Sequence, residues 1–249
     1  MSDLASAGIP RAGRPFSMGA AISRSFALFK QHLGKFAAIA AIGQAPPVIA
    51  VLATAQQGVQ SGWGEGIANI VAFILSLIVQ GAIAYGVIQS LVGKEFTIGQ
   101  SLSAASSRLG ALFLTSLVIA IAVMIGVLLL VVPGVILAMM FAVAIPVCIA
   151  ERAGVGESLS RSRYLTKGSR WAIFGAFLTV GLLFVVAALI VGALVGLLIG
   201  AAPMAMALVE LIVSALGSAF SSILVAVMYN DLRVDKDGVD TTQIASVFD

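Results

Sequence analysis

Four cations stand within one short stretch, at Arg161, Arg163, Lys167 and Arg170. Cations this dense beside an apolar run suit the phosphate of an anionic lipid headgroup, held by charge-assisted hydrogen bonds. The plainer reading is that they fix orientation in a membrane, and the two roles are compatible. A second group is polar but buried in apolar sequence. Glu210 is the only acid inside an expected membrane span, and Gln44, Gln80, Gln89 and Asn69 are further intramembrane polar candidates. An ionisable group in hydrocarbon suggests a proton or cation site. Glu210, however, lies about seven residues into its helix, only about 10 Å deep. It is therefore read as a near-surface acid that tolerates substitution. The amides more commonly make interhelical hydrogen bonds than line a pathway.

Catalytic patterns are missing. The single His32 and the single Cys148 fall in different segments and form no dyad. One Cys allows no intramolecular disulfide and no Cys-based metal site. No phosphate-binding glycine loop, dinucleotide fingerprint or carboxylate pair is present. The serines Ser214, Ser218 and Ser222 and the glycines Gly192, Gly196 and Gly200 each repeat every fourth residue. Such spacing makes close-packing helix faces, and these two are candidates to meet. The sequence thus implies no enzyme, no metal and no cofactor. Basic residues hug the ends of apolar runs, so topology accounts for them and nucleic acid is not an expected partner.

These residues must be placed by membrane helices. The chain has 249 residues, 60% hydrophobic and 10% charged. A soluble domain is nearer half apolar and a quarter charged. Apolar runs predict six spans, at about 36–55, 67–92, 110–132, 135–150, 171–199 and 204–229. Pro46-Pro47 should kink the first, and Pro133-Gly134 should make the turn between the third and fourth. All 14 Lys and Arg lie in the N-terminal segment, in the 93–109 and 151–170 connections, or after the sixth span. The opposite loops, at about 56–66, 133–134 and 200–203, carry none. The positive-inside rule places both termini in the cytoplasm. Ala53-Thr54-Ala55 resembles a leader cleavage site, but about 35 residues precede its apolar run, too many for an ordinary leader. The expectation is an uncleaved chain.

Three segments share an opening of cap, apolar residue, glycine and small residues, starting at Ser17, Thr97 and Gly154. Each predicts a short amphipathic helix, over 17–33, 97–108 and 154–166. Gly34-Lys35 should break the first, and Thr97 with Gln100 fits a capping box. On the third, Val155, Leu159 and Leu165 should face the acyl boundary. The expected organisation is a disordered tail at 1–15 and an all-α, six-span bundle at 16–230. Within it lie three parallel pseudo-repeats (17–92, 97–150, 154–229), each a surface helix and a hairpin. A polar cytoplasmic tail follows at 231–249.

Over 133–171 the chain resembles the membrane domains fused to some bacterial glycerophosphodiester phosphodiesterases, and their stand-alone relatives. The resemblance rests on Pro133-Gly134, Pro146, Glu151-Arg152, Ser158-Leu159, Ser162, Leu165-Thr166-Lys167-Gly168 and Trp171, and on Tyr229-Asn230-Asp231-Leu232-Arg233. Ser158 stands where the family usually has Ala, and the aromatic after Ser162 is displaced to Tyr164. The resemblance implies a six-span domain of a multi-pass inner-membrane protein without the enzymatic partner domain. The expected function is binding of membrane lipids, anionic headgroups above all, or of a partner membrane protein. A small transporter or channel is the alternative.

Overall fold

The computed structural model describes residues 16–44, 62–199 and 203–238. The elements are α1 (Met18–Gln31), α2 (Leu33–Gln44), α3 (Gly62–Leu91), α4 (Ile98–Ser106) and α5 (Leu109–Leu129). They continue with α6 (Val131–Met140), α7 (Ala144–Ala150), α8 (Val155–Thr166), α9 (Arg170–Ile199) and α10 (Pro203–Asp237). No strand occurs among the described residues. Five stretches are long and apolar enough to cross a membrane: Asn69–Leu91, Leu109–Leu129, Val131–Ala150, Arg170–Leu198 and Leu208–Asp237. This is the composition of a multi-pass membrane protein. The kink expected at Pro46-Pro47, the 1–15 tail and most of the 56–66 loop lie outside the described residues.

The core is at one end. The buried parts of the long helices are Leu77–Val87 in α3, Ile173–Val180 in α9 and Ala219–Val234 in α10. The short helices α1, α4, α7 and α8 pack around these parts. Their small residues permit close approach. Gly81 meets Ala105, Leu112 and Ile149, and Gly86 lies against Phe96. Phe220 of α10 sits among Phe26, Phe29 and Phe184, at ring separations of 4.6, 5.7 and 5.8 Å. Such aromatic pairs add packing energy beyond their area. The far ends of α3, α5, α9 and α10 expose Ile, Leu, Val and Phe. That is how a helix meets lipid.

The three short amphipathic helices form close to where their caps predict. Thr97 accepts from the Gln100 N–H at 3.2 Å, and Gln100 accepts from the Thr97 N–H at 3.1 Å. That is the predicted capping box. Glu157 accepts from the Gly154 N–H at 3.4 Å, half of the same device.

Four expectations need correction. The break after α1 falls at His32 (φ −121, ψ 27), and Gly34 continues inside α2. The hairpin turn falls at extended Leu130, and Pro133 occupies the first turn of α6, where its missing N–H costs nothing. Gly134 is instead a packing position: an added Cβ would lie 2.8 Å from the backbone nitrogen of Val127. The fourth apolar run is interrupted at 141–143. Pro146 explains this, since its ring would clash with the Ala142 carbonyl in a continuous helix. Finally, the helix does not end at 231, the expected start of the polar tail. Instead α10 runs on to Asp237, with Asn230, Asp231, Leu232 and Val234 buried.

Candidate functional site

The helix break between α6 and α7 leaves the Met140 carbonyl without its i+4 partner, because the Ala144 N–H turns to the Phe141 carbonyl. Two hydroxyls of α8 satisfy it. Ser162 donates at 3.0 Å and Thr166 at 3.2 Å. An orphaned buried carbonyl is costly, so these bonds seat the end of α8 firmly. Leu165 is fully buried beside them, while Val155 and Leu159 are half-buried. Leu165 therefore packs on protein, contrary to its expected place in the acyl boundary.

Gly168 then turns the chain at φ 89, a conformation that favours glycine. This turn places Lys167, Arg170 and Trp171 around one groove. Val135, Ile136 and Met139 of α6 form one wall, and Trp171 with Phe174 forms the other. Its volume is about 240 Å³. Trp171 is 74% exposed. Lys167 and Arg170 form no ion pair among the described residues. The Arg170 Nε is buried and has no hydrogen-bond partner there. The groove therefore combines two cations, one amphipathic ring and an apolar floor.

Arg161 lies elsewhere. Its Nε donates to both Glu151 oxygens, at 3.2 and 3.1 Å, and its Nη atoms reach Asp237. Tyr229 donates its hydroxyl to Glu151 at 2.9 Å, and Arg233 donates to the Tyr229 oxygen at 3.3 Å. Burial alone would lower the Arg161 pKa, but the hydrogen bonds to Asp237 and Glu151 outweigh it and raise the value. Arg161 is thus a clasp joining α7, α8 and α10. Arg163 is exposed and lies outside the groove. A second clasp joins α1 to α10, where Arg24 donates to Asp231 at 2.6 Å. Lys35 donates to Glu95 at 3.0 Å and to the Phe96 carbonyl at 2.9 Å, which ties α2 to the start of α4.

The intramembrane polar candidates do not converge. Gln80 lines a second groove, of about 330 Å³, with Pro146, Phe177, Ser218, Ser221 and Ser222. Gln44 is half-buried at the described end of α2, and Glu210 is exposed on α10; neither lines that groove. The hydroxyls of Ser214, Ser218 and Ser222 donate to carbonyls of their own helix. Gly196 has open space where a Cβ would point, so the two small-residue faces do not meet there. His32 hydrogen-bonds Ser90 at 2.7 Å, and Cys148 is buried elsewhere.

Glu151, Ser162, Thr166, Gly168, Trp171 and Tyr229 all have structural roles at this end of the bundle. The clasp by Asp237 and the part-buried pairing of Arg24 with Asp231 were not evident from the sequence. A basic helix facing an acidic tail was the only available signal. Comparison of the chain with protein-family models, with curated proteins and with solved structures finds no match.

Proposed function

We propose that the chain is a multi-pass protein of the bacterial cytoplasmic membrane that holds an anionic phospholipid headgroup in the Lys167–Arg170–Trp171 groove. It acts by binding rather than by catalysis. The groove itself carries this reading: two cations without an acid, at the end of the bundle where the other described Lys and Arg residues lie. A phosphate suits the cations. Acyl chains suit Val135, Ile136 and Met139, and an exposed Trp suits the bilayer interface. Arg161 leaves the proposed ligand set because its carboxylate partners occupy it. Arg163 remains a peripheral attraction for the lipid surface.

In this reading both termini are cytoplasmic and the chain crosses an even number of times. The repeats 17–92, 97–150 and 154–229 are related about an axis along the membrane normal, each opened by α1, α4 or α8. Membership of the glycerophosphodiester phosphodiesterase membrane-domain family rests on the residues quoted above. The uncharged Gln80–Ser222 groove supports a second reading, a small transporter or channel for a neutral polar solute. A partner membrane protein on the basic face would also fit.

The test is lipid retention through purification in mild detergent. Lys167→Gln with Arg170→Gln should retain less phosphatidylglycerol and cardiolipin, while Arg163→Gln retains nearly the native amount. Native retention by the double variant would rule out the groove as the headgroup site.

A further inference from the structure

The stretch Val131–Ala150 has the length of a crossing only if α6 and α7 are counted together across the break at 141–143; α6 by itself has 10 residues. We propose that the α5–α6 hairpin is a re-entrant wedge, inserted into the acyl chains of the cytoplasmic leaflet alone. Its base is fixed by polar groups. The Met140 carbonyl takes hydroxyls from Ser162 and Thr166, and Met139 lines the groove with Lys167 and Arg170. Cations of this kind sit at the interface, so Met139 and Met140 sit near it too. From there to the turn at Leu130, α6 has 10 residues, a rise of about 15 Å. The hydrocarbon core is about 30 Å thick. The turn therefore ends near the bilayer centre.

The other arm agrees. The first part of α5 is spent in the packed core, where Leu112 and Thr115 are fully buried and Arg108 donates to the Ala153 carbonyl at 3.0 Å. The remainder of α5 is mostly exposed, with Leu117, Val118, Ile121, Met124, Ile125 and Val127 facing outward. The tip has the right chemistry for hydrocarbon. From Leu117 to Pro146 no side chain is polar. Residues 128–132 are all exposed, from 62% at Val132 to 78% at Leu128. A turn reaching the outer water would present five bare Leu and Val side chains to it. The α2–α3 connection, by contrast, carries Gln56, Gln57 and Gln60. Close packing of Gly126 on Gly134 keeps the wedge narrow.

α9 serves as an internal ruler. It starts at Arg170 beside Met139, and its 30 residues rise about 45 Å, enough to cross fully. The sequence between α9 and α10 is also apolar, but α9 is long enough to carry it across. Among the described residues the proposal leaves α3, α9 and α10 as crossings. It rests on membrane placement and not on headgroup binding.

The test is the depth of a nitroxide on Leu130→Cys or on Leu197→Cys, each in a Cys148→Ala background reconstituted in phosphatidylethanolamine–phosphatidylglycerol vesicles. If Cys148→Ala fails to fold, the native background serves, with unsubstituted protein reporting any labelling of buried Cys148. Collisions with oxygen and with a water-soluble nickel chelate, present on both sides, report depth. At position 130 oxygen should dominate, with a depth of about 15 Å, while position 197 should be open to the chelate. Equal chelate access at 130 and 197 would show that the hairpin crosses. Access at 130 equal to that of a label on Ser160→Cys would show that it never enters. Either result overturns the wedge.

Discussion

Replacing Arg161 with Gln separates a clasp from a lipid ligand. The guanidinium is held by Glu151 and Asp237, with side chains 25%, 22% and 20% exposed. Exposed pairs contribute at most about 1 kcal/mol, and breaking a fully buried pair costs about 3–5 kcal/mol. This cluster lies between, so Arg161→Gln should cost about 2–3 kcal/mol. For a chain of this size that lowers the thermal midpoint by roughly 5–10 °C. Arg161→Lys should recover little, because one ammonium cannot reproduce a guanidinium fork between two carboxylates. The assay is thermal unfolding in detergent, run as a cycle with Glu151→Gln. The double variant should lose less than the two single losses added together. A native midpoint for Arg161→Gln, joined to reduced lipid retention, would refute the clasp and return Arg161 to the headgroup site.

Gly134→Ala should destabilise by about 1–3 kcal/mol, because its Cβ meets the Val127 backbone, whereas Gly196→Ala meets open space and should be neutral; thermal midpoints decide. His32 has its pKa lowered by burial and by Lys35, against a smaller opposing effect of Glu95. The unfolded chain then binds the proton more readily, so stability is full above about pH 6.5 and falls as pH drops below it. Midpoints of the native chain and His32→Gln should therefore diverge between pH 7.5 and 5.5. Reporter fusions should read external at Gly62 and cytoplasmic at Ser160, and a cytoplasmic signal at Gly62 would reverse the orientation.

Helix content and cap positions were legible because apolar length and cap chemistry are local. Ser17, Thr97 and Gly154 each sit one residue before a helix. The break at 141–143 was legible in part, since Pro146 requires an interruption upstream, but its effect on Met140 was not. That effect depends on Ser162 and Thr166, more than 20 residues on. The turn at Leu130 was hidden because Pro-Gly is the stronger local turn signal, and a proline in the first turn of a helix looks the same in sequence. Lys167 and Arg170 stood out by charge density, and both line one groove. The pairing of Arg161 was not legible, because density cannot tell a free cation from a paired one and its partner Asp237 lies 76 residues away.

The central claim is anionic lipid in the Lys167–Arg170–Trp171 groove. The direct measurement is a titration of delipidated protein with phosphatidylglycerol, followed by native mass spectrometry. A charge near a headgroup contributes about 1 kcal/mol, so losing two should weaken the tightest bound lipid roughly 30-fold. The account predicts that loss for Lys167→Gln with Arg170→Gln, with phosphatidylethanolamine binding little changed. Equal affinity of the native chain and the double variant for phosphatidylglycerol would contradict it.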